Sequence, residues 1–252
     1  MVLLAVISKP SSSYPSWILR RCAPGSSRWP STACGARGQP AVVTSTTHLH
    51  RTAAFNALPT VAWTERGAEA ALRRAMHRHR VALVISEPWG RDMWHGLTPD
   101  QVSAVRRVLP EACFIVKADG ARKRLLKAPG DHEPCWPHDS DQCVLVLSLA
   151  ACGRPLDERT VHRLPRVTAL SRDRTIGPGT LADVIVARNG YGERFPPAAR
   201  RVLYLSACDS PRRLDAAREV AAAVSDRFEA IVAGDTPSGR FVRLASNGRA
   251  GV

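Results

Sequence analysis

The residues best suited to chemistry lie between Asp119 and Glu133, directly after an apolar run. Residues 113–119 read CFIVKAD, Gly120 follows, and a basic stretch leads to His132 and Glu133. A carboxylate at the end of a buried strand can hold Mg²⁺ beside a phosphate, usually through water. The same Asp-Gly pair is typical of a plain turn. Asp119 alone therefore does not decide between a metal site and a turn.

The composition allows a buried sheet that would position such groups. The 252 residues are 44% apolar, which is enough for a substantial core and is not typical of a disordered protein. Continuous apolar runs, rather than alternating ones, are typical of parallel strands that are buried on both faces. The predicted strands occupy residues 2–8, 40–47, 81–86, 113–119, 142–149, 201–207 and 228–234.

Helical patterns lie between some of these strands. The predicted helices occupy residues 65–79, 98–109 and 210–227. Thr98 and Ser210 are predicted N-caps, because a proline follows each of them in the first helical position. The alternation predicts an α/β fold with a doubly wound, mostly parallel sheet, in which ligands bind at the carboxyl ends of the strands.

A proline-rich segment interrupts this alternation. Residues 8–40 contain five prolines, and no helical period survives across them. We therefore predict a divergent strand with a proline-rich segment over residues 1–39. An α/β domain is predicted over residues 40–235, and a short C-terminal strand or tail over residues 236–252.

Charge and cysteine content limit the class of protein. The net charge of +14, from 36 Lys and Arg against 22 Asp and Glu, attracts anions. The seven cysteines include no C-x-x-C pair, so neither a disulfide framework nor a paired zinc site is expected. No stretch reaches the roughly 18 apolar residues that a membrane span needs. We expect a cytoplasmic protein with reduced thiols and no membrane partner.

The central part of the chain resembles a known family. Residues 118–137, ADGARKRLLKAPGDHEPCWP, and 141–163, DQCVLVLSLAACGRPLDERTVHR, carry the resemblance. They closely resemble the selenium-dependent molybdenum hydroxylase accessory proteins, the YqeC-like family. That family's pattern reads E-A-D-G-A-x-x-x-x-L-K-A-P-x-x-H-E-P, then an apolar strand, then G-x-P-L and V-H-R. Residues 42–49, VVTSTTHL, look like its T-T-T-T-H element.

The resemblance implies a fold, a partner and a site. The family is similar to P-loop NTPases and is thought to help mature selenium-containing molybdenum hydroxylases. The implied partner is a selenium- or molybdenum-dependent hydroxylase apoenzyme or its cofactor intermediate, and the implied ligand is ATP or GTP with Mg²⁺ on Asp119. The nucleotide- or anion-binding candidates are Thr44, Thr46, Thr47, His48, Lys127 and Arg163. The further family-motif residues are Asp119, Gly120, His132, Glu133 and His162.

Three sequence elements that would bind the nucleotide or its Mg²⁺ depart from the family pattern. The G-x-G-G-K-T-like loop is missing from the proline-rich segment, and no G-K-[ST] occurs anywhere in the chain. Lys117 stands where the family has an acid, and its charge would repel Mg²⁺. The Asn-Lys-x-Asp-like element appears as Ser206-Ala207-Cys208-Asp209 and keeps only its acid. We therefore expect impaired nucleotide hydrolysis.

Three explanations of these departures remain open. In the first, the protein is a non-hydrolysing paralogue that keeps its partner surface; in the second, it binds another anion through residues 44–48 and the Arg-rich surface. Alternatively, residues 8–38 come from a reading-frame error, and the true protein is an active Mg²⁺-dependent NTPase. A basic nucleic-acid-binding domain is a further alternative, but no aromatic-basic motif supports it, so nucleic acid is not an expected partner.

Residues 86–100, SEPWGRDMWHGLTPD, follow a predicted strand and should also lie at the ligand edge of the sheet. We interpret them as a loop that forms a candidate lid. Its predicted packing anchors are Trp89 and Trp94.

Overall fold

The structure of the protein is a computed structural model that describes residues 2–7 and 40–245. Residues 8–38, to which the reading-frame explanation applies, lie outside the described residues, as does the end of the predicted tail. The chain divides into two compact units. We call residues 40–119 with 135–141 the N-terminal unit, and residues 120–134 with 142–245 the C-terminal unit.

The elements of the first part of the chain follow the predicted strands and helices with some additions. The strands are β1 (Val2–Ile7), β2 (Ala41–Ser45), β3 (Leu49–His50), β4 (Thr60–Ala62), β5 (Val81–Ile85), β6 (Glu87–Trp89), β7 (Met93–His95) and β8 (Cys113–Gly120). The helices are α1 (Ala53–Asn56), α2 (Ala68–His79) and α3 (Pro99–Val108).

In the N-terminal unit, β2 lies between β8 and β5, and β4 flanks β5, with all four strands parallel. Alternate side chains enter two different cores. Val42 and Phe114 pack in one core with Leu72 of α2, whereas Val43 and Leu83 pack in the other. Burial on both faces explains why these strands read as continuous apolar runs.

The start of α3 confirms the predicted N-cap. The N–H of Gln101 donates to Thr98 Oγ1 at 3.2 Å, and the N–H of Thr98 donates to Gln101 Oε1 at 2.8 Å, which forms a capping box. Ser210 precedes a helix as predicted, but its side chain makes no capping hydrogen bond.

A small antiparallel sheet corrects the predicted lid. Residues 86–100 contain β6 and β7, and β7 lies between β3 and β6. Trp94 is a packing anchor, since it is 4% exposed and lies in the core with Phe55. Trp89 is 47% exposed and, unlike Trp94, does not belong to that core.

The elements of the C-terminal unit include short strands that sequence patterns did not predict. The strands are β9 (Leu126–Lys127), β10 (Gln142–Ser148), β11 (Val161–His162), β12 (Arg200–Ser206), β13 (Ala230–Asp235) and β14 (Arg240–Ala245). The helices are α4 (Leu164–Leu170), α5 (Pro178–Val186) and α6 (Pro211–Val224).

Parallel strands also form the core of the C-terminal unit. β12 pairs in parallel with both β10 and β13, and β14 is antiparallel to β13. Helix α6 buries Ala217 and Val220, and Phe195 meets Phe228 edge to face at 5.7 Å. A separate pair of parallel strands, β9 and β11, lies outside this sheet.

The predicted α/β class with parallel strands is confirmed, and the described residues contain six α-helices. The finer predictions, a doubly wound P-loop-NTPase-like sheet and the three domain boundaries, stay predictions. Within residues 2–7 and 40–245, no helix has the length and apolar character needed to cross a membrane.

Candidate functional site

In the C-terminal unit, β9 and β11 bring two motif segments together. Leu126 pairs with Val161, and Lys127 pairs with His162, in parallel register. The L-K-A-P and V-H-R segments are therefore neighbours in space although they are distant in sequence. Arg163, the next residue, has φ 62° and is the N-cap of α4.

Glu133 links these segments through a network of charges. The Nζ atom of Lys127, a residue that is 1% exposed, lies 2.6 Å from Glu133 Oε2 and donates to the Gly120 carbonyl at 3.1 Å. Arg163 donates to both oxygens of Glu133, with Nη2 3.0 Å from Oε1. One carboxylate thus neutralises a buried ammonium and pairs with a guanidinium.

Gly130 completes the surroundings of this carboxylate. Its backbone N–H donates to Glu133 Oε2 at 2.9 Å. A Cβ atom on Gly130 would lie 2.9 Å from Nη1 of Arg163. Glycine at this position therefore lets the guanidinium approach the backbone.

The network changes the pKa of Glu133. Burial raises this pKa, but hydrogen bonds from Arg163, Lys127 and the Gly130 N–H more than offset burial and lower it to about 2 from 4.5. Burial lowers the pKa of His162, and the positive charges of Lys127 and Arg163 lower it further. Glu133 is therefore ionised and His162 neutral at neutral pH.

Two more arginines hold the same segment, Pro129–Glu133, which we call the clamped loop. Arg166 donates to both oxygens of Asp131, at 2.9 and 2.8 Å, and to the Pro129 carbonyl at 3.2 Å. The hydrogen bonds from Arg166 lower the pKa of Asp131. Arg194 Nη1 donates to the carbonyls of Gly130 and Glu133, at 2.7 and 2.9 Å. Three arginines therefore form hydrogen bonds with four of the five residues of the clamped loop.

His132 is exposed on the clamped loop, between the two paired acids. An imidazole ring carries two nitrogens that can form hydrogen bonds. The arrangement therefore presents one histidine to solvent on a backbone that side chains from α4 and from residue 194 hold in place.

In the N-terminal unit, residues 44–48 comprise the end of β2 and the residues after it, and we call them the threonine loop. Thr44 Oγ1 donates to the Val84 carbonyl at 2.6 Å. Ser45 Oγ donates to the Lys117 carbonyl at 2.9 Å and accepts from the Thr47 N–H at 3.0 Å. These two buried hydroxyls therefore satisfy the backbone of neighbouring strands.

The rest of the threonine loop is held by Lys117 and by residue 135. Thr46 Oγ1 donates to the Cys135 carbonyl at 2.5 Å. Lys117 Nζ donates to Thr47 Oγ1 and, at 3.0 Å, to the His48 carbonyl. The lysine that replaces the family's acid thus fixes the backbone that carries His48.

Gly96 allows a close contact with the threonine loop. A Cβ atom at this position would lie 2.4 Å from the carbonyl oxygens of both Ser45 and Thr47. The N–H of Leu97 donates to the Ser45 carbonyl at 2.7 Å. Any larger residue at position 96 would force these backbones apart.

Several residues predicted for a Mg²⁺-nucleotide site are buried or bonded within the protein itself. Asp119 lies at the end of β8, as predicted, but is only 1% exposed. Thr44 and Ser45 donate to backbone carbonyls, and the Lys117 ammonium lies against the same loop. Within residues 2–7 and 40–245, no group of three His, Cys, Asp or Glu side chains is placed to hold a metal.

The predicted base-recognition remnant, residues 206–209, follows β12. Ser206 Oγ donates to the Leu147 carbonyl at 3.1 Å, and Asp209 pairs with Arg213 at 2.6 Å. Burial raises the pKa of the Cys208 thiol, as does the nearby Asp209 carboxylate. The acid of this element is therefore paired within its own chain segment, and the thiol is protonated at neutral pH.

The structure divides the predicted residues between two groups. The C-terminal unit brings together Gly120, Lys127, Glu133, His162 and Arg163, with His132 beside them. The N-terminal unit brings Thr44, Thr46, Thr47 and His48 to the ends of β2 and β8, where Asp119 also lies. Their predicted binding roles stay predictions; an anion at Lys127 or Arg163 would compete with Glu133.

Sequence reasoning missed three residues of these sites: Gly96, Arg166 and Arg194. Arg166 had a usable signal, since it lies one helical turn after Arg163. Gly96 and Arg194 had no signal in the sequence, because their roles depend on contacts with distant segments.

Comparisons with known proteins agree with the predicted resemblance. The family model described as YqeC protein matches residues 31–165, which is more than half of the chain. The chain therefore belongs to the YqeC family. A curated relative from Escherichia coli (strain K12), named "Uncharacterized protein YqeC", is 29% identical over 114 residues, which cover 44% of this chain and 44% of the relative. The match thus spans less than half of that relative, and no solved structure matches the chain.

Proposed function

We propose that this member of the YqeC family is an accessory protein for the maturation of a selenium- or molybdenum-dependent hydroxylase. It binds the apoenzyme or a cofactor intermediate in the cytoplasm, on a P-loop-NTPase-like, doubly wound sheet. Family membership supports this proposal, together with the motif that the family shares with residues 118–163.

The clamped loop is the observation that carries the proposal. Lys127 and Glu133 belong to the first motif segment and Arg163 to the second, and their side chains meet in one ion-pair network. An ordinary surface loop does not need a buried ammonium and three arginines to hold it. Rigid presentation of a binding group reduces the entropy that is lost when a partner docks.

His132 is the proposed contact on this loop. It is exposed, and the acids on either side of it are paired with arginines. An imidazole offers two ring nitrogens for hydrogen bonds, so it can recognise a peptide or a heterocyclic intermediate. The half-buried Glu133 positions the loop through Lys127 and Arg163 and is not itself the proposed contact.

A maturation assay in cells tests this proposal. The gene is replaced by His132→Ala or Asp119→Ala variants in a host whose hydroxylase depends on this protein, and hydroxylase activity is measured. We expect His132→Ala to leave the hydroxylase inactive at normal levels of both proteins. His138→Ala, a matched exposed histidine with a side chain that is 65% exposed, should support full activity. Full maturation with both site variants would overturn the site assignment.

Impaired nucleotide hydrolysis is the second part of the proposal. Asp119 is buried, and the hydroxyls of Thr44 and Ser45 are bonded to backbone carbonyls. We expect no Mg²⁺-dependent turnover of ATP or GTP by the purified chain. Calorimetric titration with each nucleotide, with and without Mg²⁺, checks binding separately from turnover. Mg²⁺-dependent binding that Asp119→Ala abolishes would contradict the impaired site.

A further inference from the structure

Two neighbouring tryptophans of the N-terminal unit have opposite environments. Trp94 is 4% exposed and packs in the core, whereas Trp89 is 47% exposed. Trp89 pairs with Met93 across the antiparallel strands β6 and β7. Successive residues of a strand point to opposite faces, and directly paired residues share one face. Because Trp94 faces the core, Trp89 and His95 lie on the outer face.

Three rings meet on this outer face. Trp89 stacks on His95 with centroids 4.8 Å apart and an interplanar angle of 29°. His48 meets Trp89 edge to face at 4.4 Å and His95 at 5.0 Å. A single exposed tryptophan is common on protein surfaces and needs no explanation. A cluster of three rings outside the core is less common and suggests a binding role.

The cluster lies where a parallel sheet places its ligands. β2 and β5 are parallel, so Ser45 and Ile85 end at the same edge of the sheet. His48 and Trp89 follow these ends within a few residues, and ligands of such sheets bind at the carboxyl ends of the strands. Lys117 holds the His48 backbone through a hydrogen bond to its carbonyl. Gly96, the residue after His95, packs against the backbone of the threonine loop. The rings are therefore carried by backbone that is already held in place.

The size of this face decides which ligand fits. It spans three strands of two or three residues, which is about 10 Å in each direction. A stable protein partner would need about 800 Å² on each side, roughly eight times this area. A fused two-ring heterocycle matches the area, and nucleobases stack well on aromatic side chains.

We propose that His48, Trp89 and His95 form a binding site for a planar bicyclic heteroaromatic ring, such as a purine or a pterin. The accessible part of Trp89 stacks on the ring, while the two imidazoles offer donors and acceptors to its polar edge. The site goes beyond the proposed function because it assigns a ligand class to the N-terminal unit. It does not depend on the identity of the hydroxylase.

The tryptophan side chains allow a direct test by NMR. The chain has six tryptophans, and a Trp89→Phe variant identifies the indole N–H signal of Trp89 in ¹⁵N-labelled full-length protein. Guanosine, 6-hydroxymethylpterin and ribose 5-phosphate are titrated separately. We expect the Trp89 signal to shift saturably with at least one bicyclic ring and not with ribose 5-phosphate, while the Trp94 signal stays unchanged. Comparing the affinities of guanosine and 6-hydroxymethylpterin shows whether the site prefers a purine or a pterin.

Variants separate stacking from a general surface effect. Trp89→Leu should weaken ring binding about tenfold, measured from ligand signals, because stacking contributes on this scale. Trp89→Phe should retain most of the affinity, and Val242→Ala, at a residue that is also 47% exposed, should retain all of it. Absence of a shift with both rings, or equal binding by Trp89→Leu, would overturn the site. His132→Ala should bind the ring normally, which distinguishes failure of this inference from failure of the maturation function.

Discussion

The clamped loop and the threonine loop both carry residues of the family motif and both expose a histidine, but different forces hold them. Arginines and a buried lysine hold the clamped loop through the carboxylates of Asp131 and Glu133. The threonine loop is held by neutral hydroxyls that donate to backbone carbonyls, and Lys117 also donates to it. The two loops should therefore respond differently to mutation and to pH.

The difference follows from the cost of burying charge. Removing one partner of a buried ion pair leaves a charge in an environment that solvates it poorly, whereas the loss of a neutral hydrogen bond has a smaller effect. The clamped loop should thus depend strongly on a single carboxylate. The threonine loop should depend weakly on each of several contacts.

The largest effect is expected for Glu133→Gln. The substitution keeps the shape but removes the carboxylate from Lys127 and Arg163, so the free energy of unfolding should fall by about 3 kcal/mol. Denaturant titration with hydrogen exchange of residues 126–134 measures the loss. Asp131→Asn in the same loop is the matched control, and its exposed pair should matter far less. Equal losses for the two variants would break the distinction between buried and exposed pairs.

Acid should weaken the clamped loop before it weakens the threonine loop. The folded pKa of Glu133, about 2, is below its ordinary 4.5, so its contribution is fully present above pH 4.5 and is lost as the pH falls towards 2. With solvent screening of this half-buried carboxylate, the loss should be about 2 kcal/mol. Thermal unfolding across this pH range measures it. The Glu133→Gln variant should show a flatter dependence on pH, and an unchanged slope would contradict the assignment.

Gly96→Ala tests packing at the threonine loop. The added Cβ atom would lie 2.4 Å from two backbone carbonyl oxygens, so strain should lower the free energy of unfolding by about 2 kcal/mol. Gly179→Ala is the control, because a Cβ atom there meets open space. Hydrogen exchange in residues 44–48 should rise only in the first variant. Unchanged exchange there would mean that the close contact is not needed.

The smallest effect is expected for Thr46→Val. The variant loses the hydrogen bond to the Cys135 carbonyl, which should lower the free energy of unfolding by about 1 kcal/mol. Thr60→Val, at an exposed threonine with only a local bond, should change it by less than about 0.5 kcal/mol. Denaturant midpoints compare the two. A loss as large as that of Glu133→Gln would remove the contrast between the loops.

The elements that sequence reasoning predicted well are those with local signals. Apolar runs identified β2, β5, β8, β10, β12 and β13, and the Thr98-Pro99 pair identified the start of α3. β9 and β11 have only two residues each, which is too short for any periodic pattern. Their pairing aligns Lys127 with His162, so the central contact of the site could not be predicted from local patterns.

The roles of charged residues were also hard to predict. Lys117 was interpreted as a group that repels Mg²⁺, and the structure shows it bonded to the threonine loop. Lys127 and Arg163 were interpreted as anion-binding residues, and their nearest anion is Glu133 of the same chain. Charge type is visible in a sequence, but the partner that neutralises a charge is a tertiary contact.

Binding of the purified chain to the purified apohydroxylase of its host tests the central account most directly. Biolayer interferometry compares wild-type protein, His132→Ala and His138→Ala, after thermal unfolding has shown that all three are folded. The account predicts an affinity loss of about tenfold or more for His132→Ala, because a contact on a rigid loop should contribute at least this much. His138→Ala should bind like the wild type. Equal binding by all three proteins would contradict a partner-binding role for the clamped loop.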